Sequence, residues 1–181
     1  MDIYNTAVTV LSVGTILAQV FIVLVLIFIF VPPLHKQKQV KKFLKFLKER
    51  SFLLAFGVAL SSIVGSLFFS DVASLLPCEL CWKQRILMFP QSLLFGLAVW
   101  KKEKVIADYS TLLSAIGILY SIYHYTLQML PRDITTCDTS SFLSSCSEKL
   151  IFEFGYITIP MMTATAFALL LLFMLIHKKL K

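Results

Sequence analysis

The sequence predicts an all-α, polytopic membrane protein: a four-helix transmembrane bundle plus one extra N-terminal transmembrane helix. Two observations carry this prediction. Of the 181 residues, 58% are hydrophobic and 15% are charged, against about 45–50% and about 25% in soluble globular domains. Five apolar runs are each long enough to cross a bilayer as a helix, which takes roughly 17–25 residues. A soluble domain and a disordered chain are both excluded.

Each apolar run is interpreted as a transmembrane helix because lipid cannot satisfy the hydrogen bonds of an open backbone. Four runs contain no Asp, Glu, Lys or Arg, whereas the third carries Lys83 and Arg85 at its start. The first run does not have the basic start or the length of a secretory signal. We divide the chain into an N-terminal helix with a basic segment (1–50) and a four-helix domain (51–181). The runs are residues 6–31, 52–69, 82–100, 109–130 and 156–176.

The distribution of basic residues predicts the orientation in the membrane. The net charge is +7, and 13 of the 17 lysines and arginines lie in alternate connections and the C-terminal tail. Cytoplasmic loops collect such residues, so we expect the N-terminus outside and the C-terminus in the cytoplasm, with no nucleic-acid partner. The basic segment 36–50 has Val40, Phe43, Leu44 and Leu47 spaced for one face of an amphipathic helix on the inner surface.

All four cysteines fall on the predicted outer side. Cys78 and Cys81 lie between the second and third spans, and Cys137 and Cys146 lie in the outer loop 131–155. Disulfides persist outside the cytosol, so the C-x2-C and C-x8-C pairs indicate redox or structural disulfides. A C-x2-C staple closes too small a loop to stabilise the chain much. A four-cysteine zinc site fits poorly with the eight-residue spacing, so no metal is expected.

The residues around Cys81 favour thiol–disulfide exchange. A cysteine at the start of the third span would meet the positive end of the helix, which stabilises a thiolate. Arg85 lies one turn further on the same face, and a charged group at the membrane boundary needs a partner or a function. Glu79 acts in the opposite direction on the thiolate. The alternatives for Arg85 are contact with lipid headgroups or an ion pair with Glu79.

These residues resemble a known family. The stretch Cys78-x-x-Cys81-Trp82-x-Gln84-Arg85-x-x-Met88, followed by two spans around a second cysteine pair, looks like the bacterial, quinone-reducing DsbB family and its BdbC-like members. The resemblance covers about residues 52–176. His124 matches a histidine near the quinone in that family, the alternative being an ordinary interfacial histidine. The extra span 6–31 and the closer spacing of the second cysteine pair depart from the family pattern.

The resemblance implies an enzyme of the bacterial cytoplasmic membrane. It would reoxidise a soluble, DsbA-like thioredoxin-fold dithiol oxidase and pass the electrons to a membrane quinone, ubiquinone or menaquinone. By the same resemblance, the partner attacks a Cys137–Cys146 disulfide at Cys137, Cys146 resolves the mixed disulfide, and the loop dithiol reduces Cys78–Cys81.

Arg85 and His124 are the residues that the resemblance assigns to quinone binding. Two other interpretations stay open. One is a vitamin K epoxide reductase-like quinone reductase, although its C-x2-C lies late in the chain. The other is a non-catalytic membrane protein with structural disulfides.

Overall fold

The computed structural model describes residues 2–31, 37–101, 105–130, 146–147 and 149–179. Within them the chain forms six α-helices and no strand, which confirms the prediction of an all-α, polytopic membrane protein. One isolated antiparallel bridge joins Glu153 to Ile157, and a π-helical turn, Phe68–Val72, continues the third helix. The helices are α1 (Asp2–Phe30), α2 (Lys38–Glu49), α3 (Ser51–Leu67), α4 (Glu79–Lys101), α5 (Ile106–Met129) and α6 (Ile159–Lys179).

Four of these helices are long and apolar enough to cross a membrane, judged on the described residues. These helices are α1, α3 together with its π-helical turn, α5 and α6. The third predicted span corresponds to α4, whose first two turns hold Glu79, Lys83 and Arg85 and lower its hydropathy. α4 packs against both α3 and α5, but it is not among the four helices that are apolar enough to cross a membrane. The fifth span therefore stays a prediction.

The contacts at the helix ends show an antiparallel bundle. The Ser51 hydroxyl lies 3.0 Å from Nδ1 of His177, and Lys178 forms an ion pair with Asp108. These contacts bring the beginnings of α3 and α5 to the end of α6. The cysteine-bearing connection between α3 and α4 therefore lies at the opposite end of the bundle.

The centre of the bundle is built around α6. Its Phe167 is fully buried and lies so close to Gly117 of α5 that an added Cβ there would be 2.5 Å from the ring. Only glycine permits this approach. A polar link joins α4 to α5, because Gln91 Oε1 accepts hydrogen bonds from Ser110 and Ser114 at 2.6 and 3.0 Å.

The predicted amphipathic helix is present as α2. Val40, Leu44 and Leu47 are buried in the main core, and the helix packs against α3 and α6. The apolar face that the sequence placed on the inner membrane surface is therefore covered by the protein itself.

The extra N-terminal helix, α1, packs mainly against α6. Gln19 Nε2 donates to Thr165 Oγ1 at 3.1 Å, and the Tyr156 hydroxyl donates to Gln19 Oε1 at 2.8 Å. These bonds fix the position of α1 on the bundle.

Candidate redox site

The C-x2-C motif lies at the start of α4, as the sequence predicted. Pro77 lies in the short connection before α4, and the first helical hydrogen bond runs from the Trp82 N–H to the Cys78 carbonyl at 3.1 Å. Cys78 is thus the capping residue of α4, and Cys81 lies in its first turn. The N–H groups of that turn point toward the motif and favour negative charge there.

The two thiols of the motif are in direct contact. The Sγ atoms of Cys78 and Cys81 are 3.3 Å apart, with Cys78 as the donor. Cys78 is only 3% exposed. Donation of its S–H to Cys81, together with burial, raises the pKa of Cys78 to about 12, and His124 opposes part of this rise. In the dithiol form the proton therefore stays on Cys78, and Cys81 is the sulfur placed to carry negative charge.

His124 reaches this pair from α5. Its side chain is 1% exposed, its Nε2 lies 3.6 Å from Cys78 Sγ, and its Nδ1 lies 3.3 Å from Gln84 Nε2. Because the Gln84 amide donates to Nδ1, the ring proton resides on Nε2, facing the sulfur. His124 is therefore a buried neighbour of the thiols.

Arg85 is held toward α3. Its Nε donates to Ser66 Oγ and its terminal Nη2 to the Ser66 carbonyl, both at 2.8 Å. Its guanidinium also lies over the Trp82 ring, 5.4 Å from the centroid. Glu79 pairs with Lys83 at 2.6 Å. The ion pair between Arg85 and Glu79, one of the alternatives, is not the arrangement found.

Cys146 packs against the helix pair. It is 7% exposed and forms a small cluster with Cys78, Leu80 and Leu127, against which Cys81 also packs. Cys146 lies near enough to Cys81 for the two sulfurs to interact electrostatically. Cys137, the fourth predicted catalytic cysteine, lies outside the described residues. The structure thus brings three of the four predicted cysteines together with His124.

The cysteine pair lines a cavity of about 470 Å³ between α1, α3, α4, α5 and α6. Most of its wall is apolar, formed by side chains such as Val58, Met88 and Leu169. The wall also has polar side chains, and among them His124 and Gln84 lie at the cysteine pair. Apolar walls with a few convergent polar groups are typical of small-molecule sites.

The thiols and the imidazole also have the spacing of metal ligands. The ligand atoms of Cys78, Cys81 and His124 all lie within 4.8 Å of one another, the one such group among the described residues. Sulfur and imidazole nitrogen are zinc ligands, so zinc binding to the dithiol form competes with the redox interpretation for the same residues.

Two site residues were not singled out from the sequence as binding residues. Gln84 contacts His124, and Ser66 holds Arg85. The position of Gln84, three residues after Cys81 and therefore on the same helix face, was a usable signal. Ser66 lies 19 residues before Arg85, on another helix, and nothing local marks it.

A helical membrane protein with a C-x2-C pair capping one helix and a third cysteine packed on it belongs to the class of membrane thiol–disulfide proteins. The chain belongs to the DsbB family: residues 48–177 match the family described as Disulfide bond formation protein DsbB. It is therefore a membrane oxidoreductase of disulfide formation.

Similar proteins come from several bacilli. Disulfide bond formation protein C of Bacillus subtilis is 40% identical over 123 residues, covering 67% of this chain and 87% of that protein. The probable disulfide formation protein C of Halalkalibacterium halodurans is 37% identical, covering 67% and 88%. The probable disulfide formation protein C 2 of Bacillus cereus is 32% identical, covering 74% and 95%. No solved structure matches the chain.

Proposed function

We propose that the protein reoxidises a soluble, DsbA-like thioredoxin-fold dithiol oxidase and delivers the electrons to a membrane quinone. The observation that carries the proposal is the position of the Cys78–Cys81 pair. The pair packs against Cys146 of the outer loop and also lines the mostly apolar cavity of about 470 Å³. A sulfur relay needs contact with an incoming thiol and with an electron acceptor, and this pair has room for both.

The exchange steps balance in thiols and disulfides. The partner dithiol reduces the Cys137–Cys146 disulfide and becomes a disulfide itself. The resulting loop dithiol then reduces the Cys78–Cys81 disulfide, with Cys146 as the loop sulfur packed beside it. Each step is the attack of a thiolate on a disulfide sulfur, with the displaced sulfur leaving as a thiolate that takes up a proton. Burial of Cys146 supports entry of the partner through Cys137.

The chain's own groups then prepare the dithiol for reoxidation. The hydrogen bond from Cys78 keeps a proton on Cys78 and directs negative charge to Cys81. The start of α4 and the nearby Arg85 guanidinium stabilise that charge. His124, with its ring proton directed at Cys78, is placed to exchange a proton with that sulfur.

The cavity residues fit a quinone. Arg85 uses two of its five N–H groups on Ser66, and the remaining N–H groups can bind an oxygen that gains negative charge. The apolar wall suits a ring and an isoprenoid tail. When bound, a quinone supplies the acceptor for the two electrons and two protons released as Cys78 and Cys81 close to a disulfide.

We place the protein in the bacterial cytoplasmic membrane with its N-terminus and cysteines outside and its C-terminus in the cytoplasm. The basic helix α2 and Lys178 lie at the end of the bundle opposite the cysteines. This separation supports the orientation expected from the basic residues.

Reconstitution tests the proposal. Purified protein in liposomes, supplied with a reduced DsbA-like protein and ubiquinone or menaquinone, should reduce the quinone at the rate at which the partner is oxidised. Cys81→Ser should abolish both, whereas Glu79→Gln, a change in the same helical turn at an exposed side chain, should preserve them. Quinone reduction that survives Cys81→Ser, or partner oxidation with no quinone consumed, would contradict the proposal. Pairs that resist mild reduction would support structural disulfides instead.

A further inference from the structure

We propose that α1 forms one wall of the quinone cavity and that Gly14, at the centre of this wall, determines how bulky a quinone the cavity admits. This inference rests on the proposed quinone reduction. It assigns a specificity role to the helix that lies before the family match, which begins at residue 48.

The first support is the set of α1 residues that line the cavity. These residues follow one another at helical spacing and occupy a single stripe of α1, with Gly14 in its middle. The same cavity is lined by Cys78, Cys81, Arg85 and His124. The stripe consists of Val10, Leu11, Gly14, Thr15 and Ala18.

The second support is that α1 is firmly attached to the bundle at this level. Gln19, one residue beyond the stripe, exchanges hydrogen bonds with Thr165 of α6 and with Tyr156. On the other side, Leu11 lies so near Gly65 of α3 that an added Cβ at Gly65 would be 3.5 Å from the leucine methyl. The wall therefore packs on α6 and comes close to α3 at Gly65.

The third support is the space left in front of α1. A Cβ added at Gly14 would meet no heavy atom within 4 Å. On α3, the facing part of the lining includes the small residues Ser61, Ser62, Gly65 and Ser66. The width of the cavity between these helices thus depends on short side chains. A leucine at Gly14 would occupy space that a quinone ring or the first part of its tail needs.

The test introduces side chains of increasing size at this position. Gly14→Ala and Gly14→Leu should raise the quinone KM in that order, with leucine causing a rise of roughly tenfold or more, the usual scale of overpacking. Oxidation of the partner by the loop cysteines in a single turnover should stay unchanged. Both substitutions favour a helix over glycine, so the variants should fold.

The matched control is Gly57→Leu. Gly57 is an exposed glycine of α3 that does not line the cavity, and its added Cβ would also meet nothing within 4 Å. This variant should keep the wild-type quinone KM. Equal losses in Gly14→Leu and Gly57→Leu would overturn the inference, because the effect would then come from any added bulk in the membrane.

A second readout measures contact without turnover. A photoreactive azidoquinone should label α1, recovered by mass spectrometry in the tryptic peptide that ends at Lys36, and Gly14→Leu should reduce this labelling. If wild-type protein reduces quinone while α1 takes no label and Gly14→Leu leaves the KM unchanged, the inference is wrong and the proposed function stands. If wild-type protein neither reduces quinone nor takes label at any residue, the proposed function itself fails.

Discussion

Replacing Arg85 by alanine should weaken quinone use by about tenfold to a hundredfold. Arg85 lines the cavity, and its guanidinium is oriented by two 2.8 Å hydrogen bonds to Ser66. A hydrogen bond from a charged group contributes about 1.5–3 kcal/mol, and each 1.4 kcal/mol is about a factor of ten in affinity. Loss of one such bond to a quinone oxygen gives this range. Exchange between the partner and the loop cysteines does not use Arg85 and should keep its rate.

The assay is a quinone titration in liposomes, followed by the absorbance of the quinone with the partner saturating. Lys83→Ala is the matched control, because Lys83 lies on the same turn, is 43% exposed and pairs with Glu79 without lining the cavity. Ser66→Ala removes only one of the two bonds that orient Arg85. It should raise the KM less than Arg85→Ala does. The Tm of each variant shows how much stability is lost when the hydrogen bonds between Arg85 of α4 and Ser66 of α3 are removed.

An unchanged quinone KM in Arg85→Ala would refute this reasoning and leave Arg85 as a structural tie to Ser66. If Ser66→Ala and Arg85→Ala raised the quinone KM equally and lowered the Tm equally, Arg85 would likewise be only a structural tie to Ser66. A rise in Lys83→Ala would show that surface charge, and not a bond inside the cavity, controls quinone use.

Three further predictions concern topology, the loop cysteines and the reactivity of Cys78. Reporter proteins fused after residues 40 and 104 should be cytoplasmic, and one at residue 140 should be outside. A single-cysteine partner activated as a thionitrobenzoate mixed disulfide should form a covalent adduct with the Cys146→Ser variant through Cys137, seen on a non-reducing gel. The Cys137→Ser variant should not form this adduct, because Cys146 is buried. In the reduced protein, alkylation of Cys78, followed by mass spectrometry, should accelerate by about tenfold per pH unit from pH 8 to 10. The reason is that a pKa of about 12 keeps the thiol mostly protonated throughout that range.

Each of these predictions has a contradicting result. A reporter at residue 140 found in the cytoplasm would place every cysteine in a reducing compartment. An adduct that forms only through Cys146 would reverse the assigned roles of the loop cysteines. A Cys78 alkylation rate that levels off near pH 9 would show that its S–H is not held by Cys81. Protection of both thiols by added zinc, at concentrations that also block exchange, would favour the metal interpretation.

Much of the fold could be predicted from the sequence because its determinants are local. The length of each apolar run sets whether a helix can cross a bilayer, and the spacing of Val40, Leu44 and Leu47 sets the buried face of α2. The start of α4 at the cysteine motif follows from the break at Pro77 and from the apolar run that comes next. Even so, α2 covers its apolar face with protein and not with lipid, since its partners come from α3 and α6.

The features of the candidate site also fall into two groups, those set within one helix and those set by contacts between helices. The sequence by itself determined the cysteine pair, its position at a helix start and Arg85 one turn behind Cys81, since all of these depend on spacing within one helix. Only the tertiary structure decided that His124 meets Cys78, that Cys146 packs on the pair and that Ser66 orients Arg85. These contacts join residues on different helices. They depend on how helices pack around a cavity, which no single stretch of sequence specifies. The same holds for α1. The sequence predicts it as an extra span, and only its packing on the other helices shows that it lines the cavity.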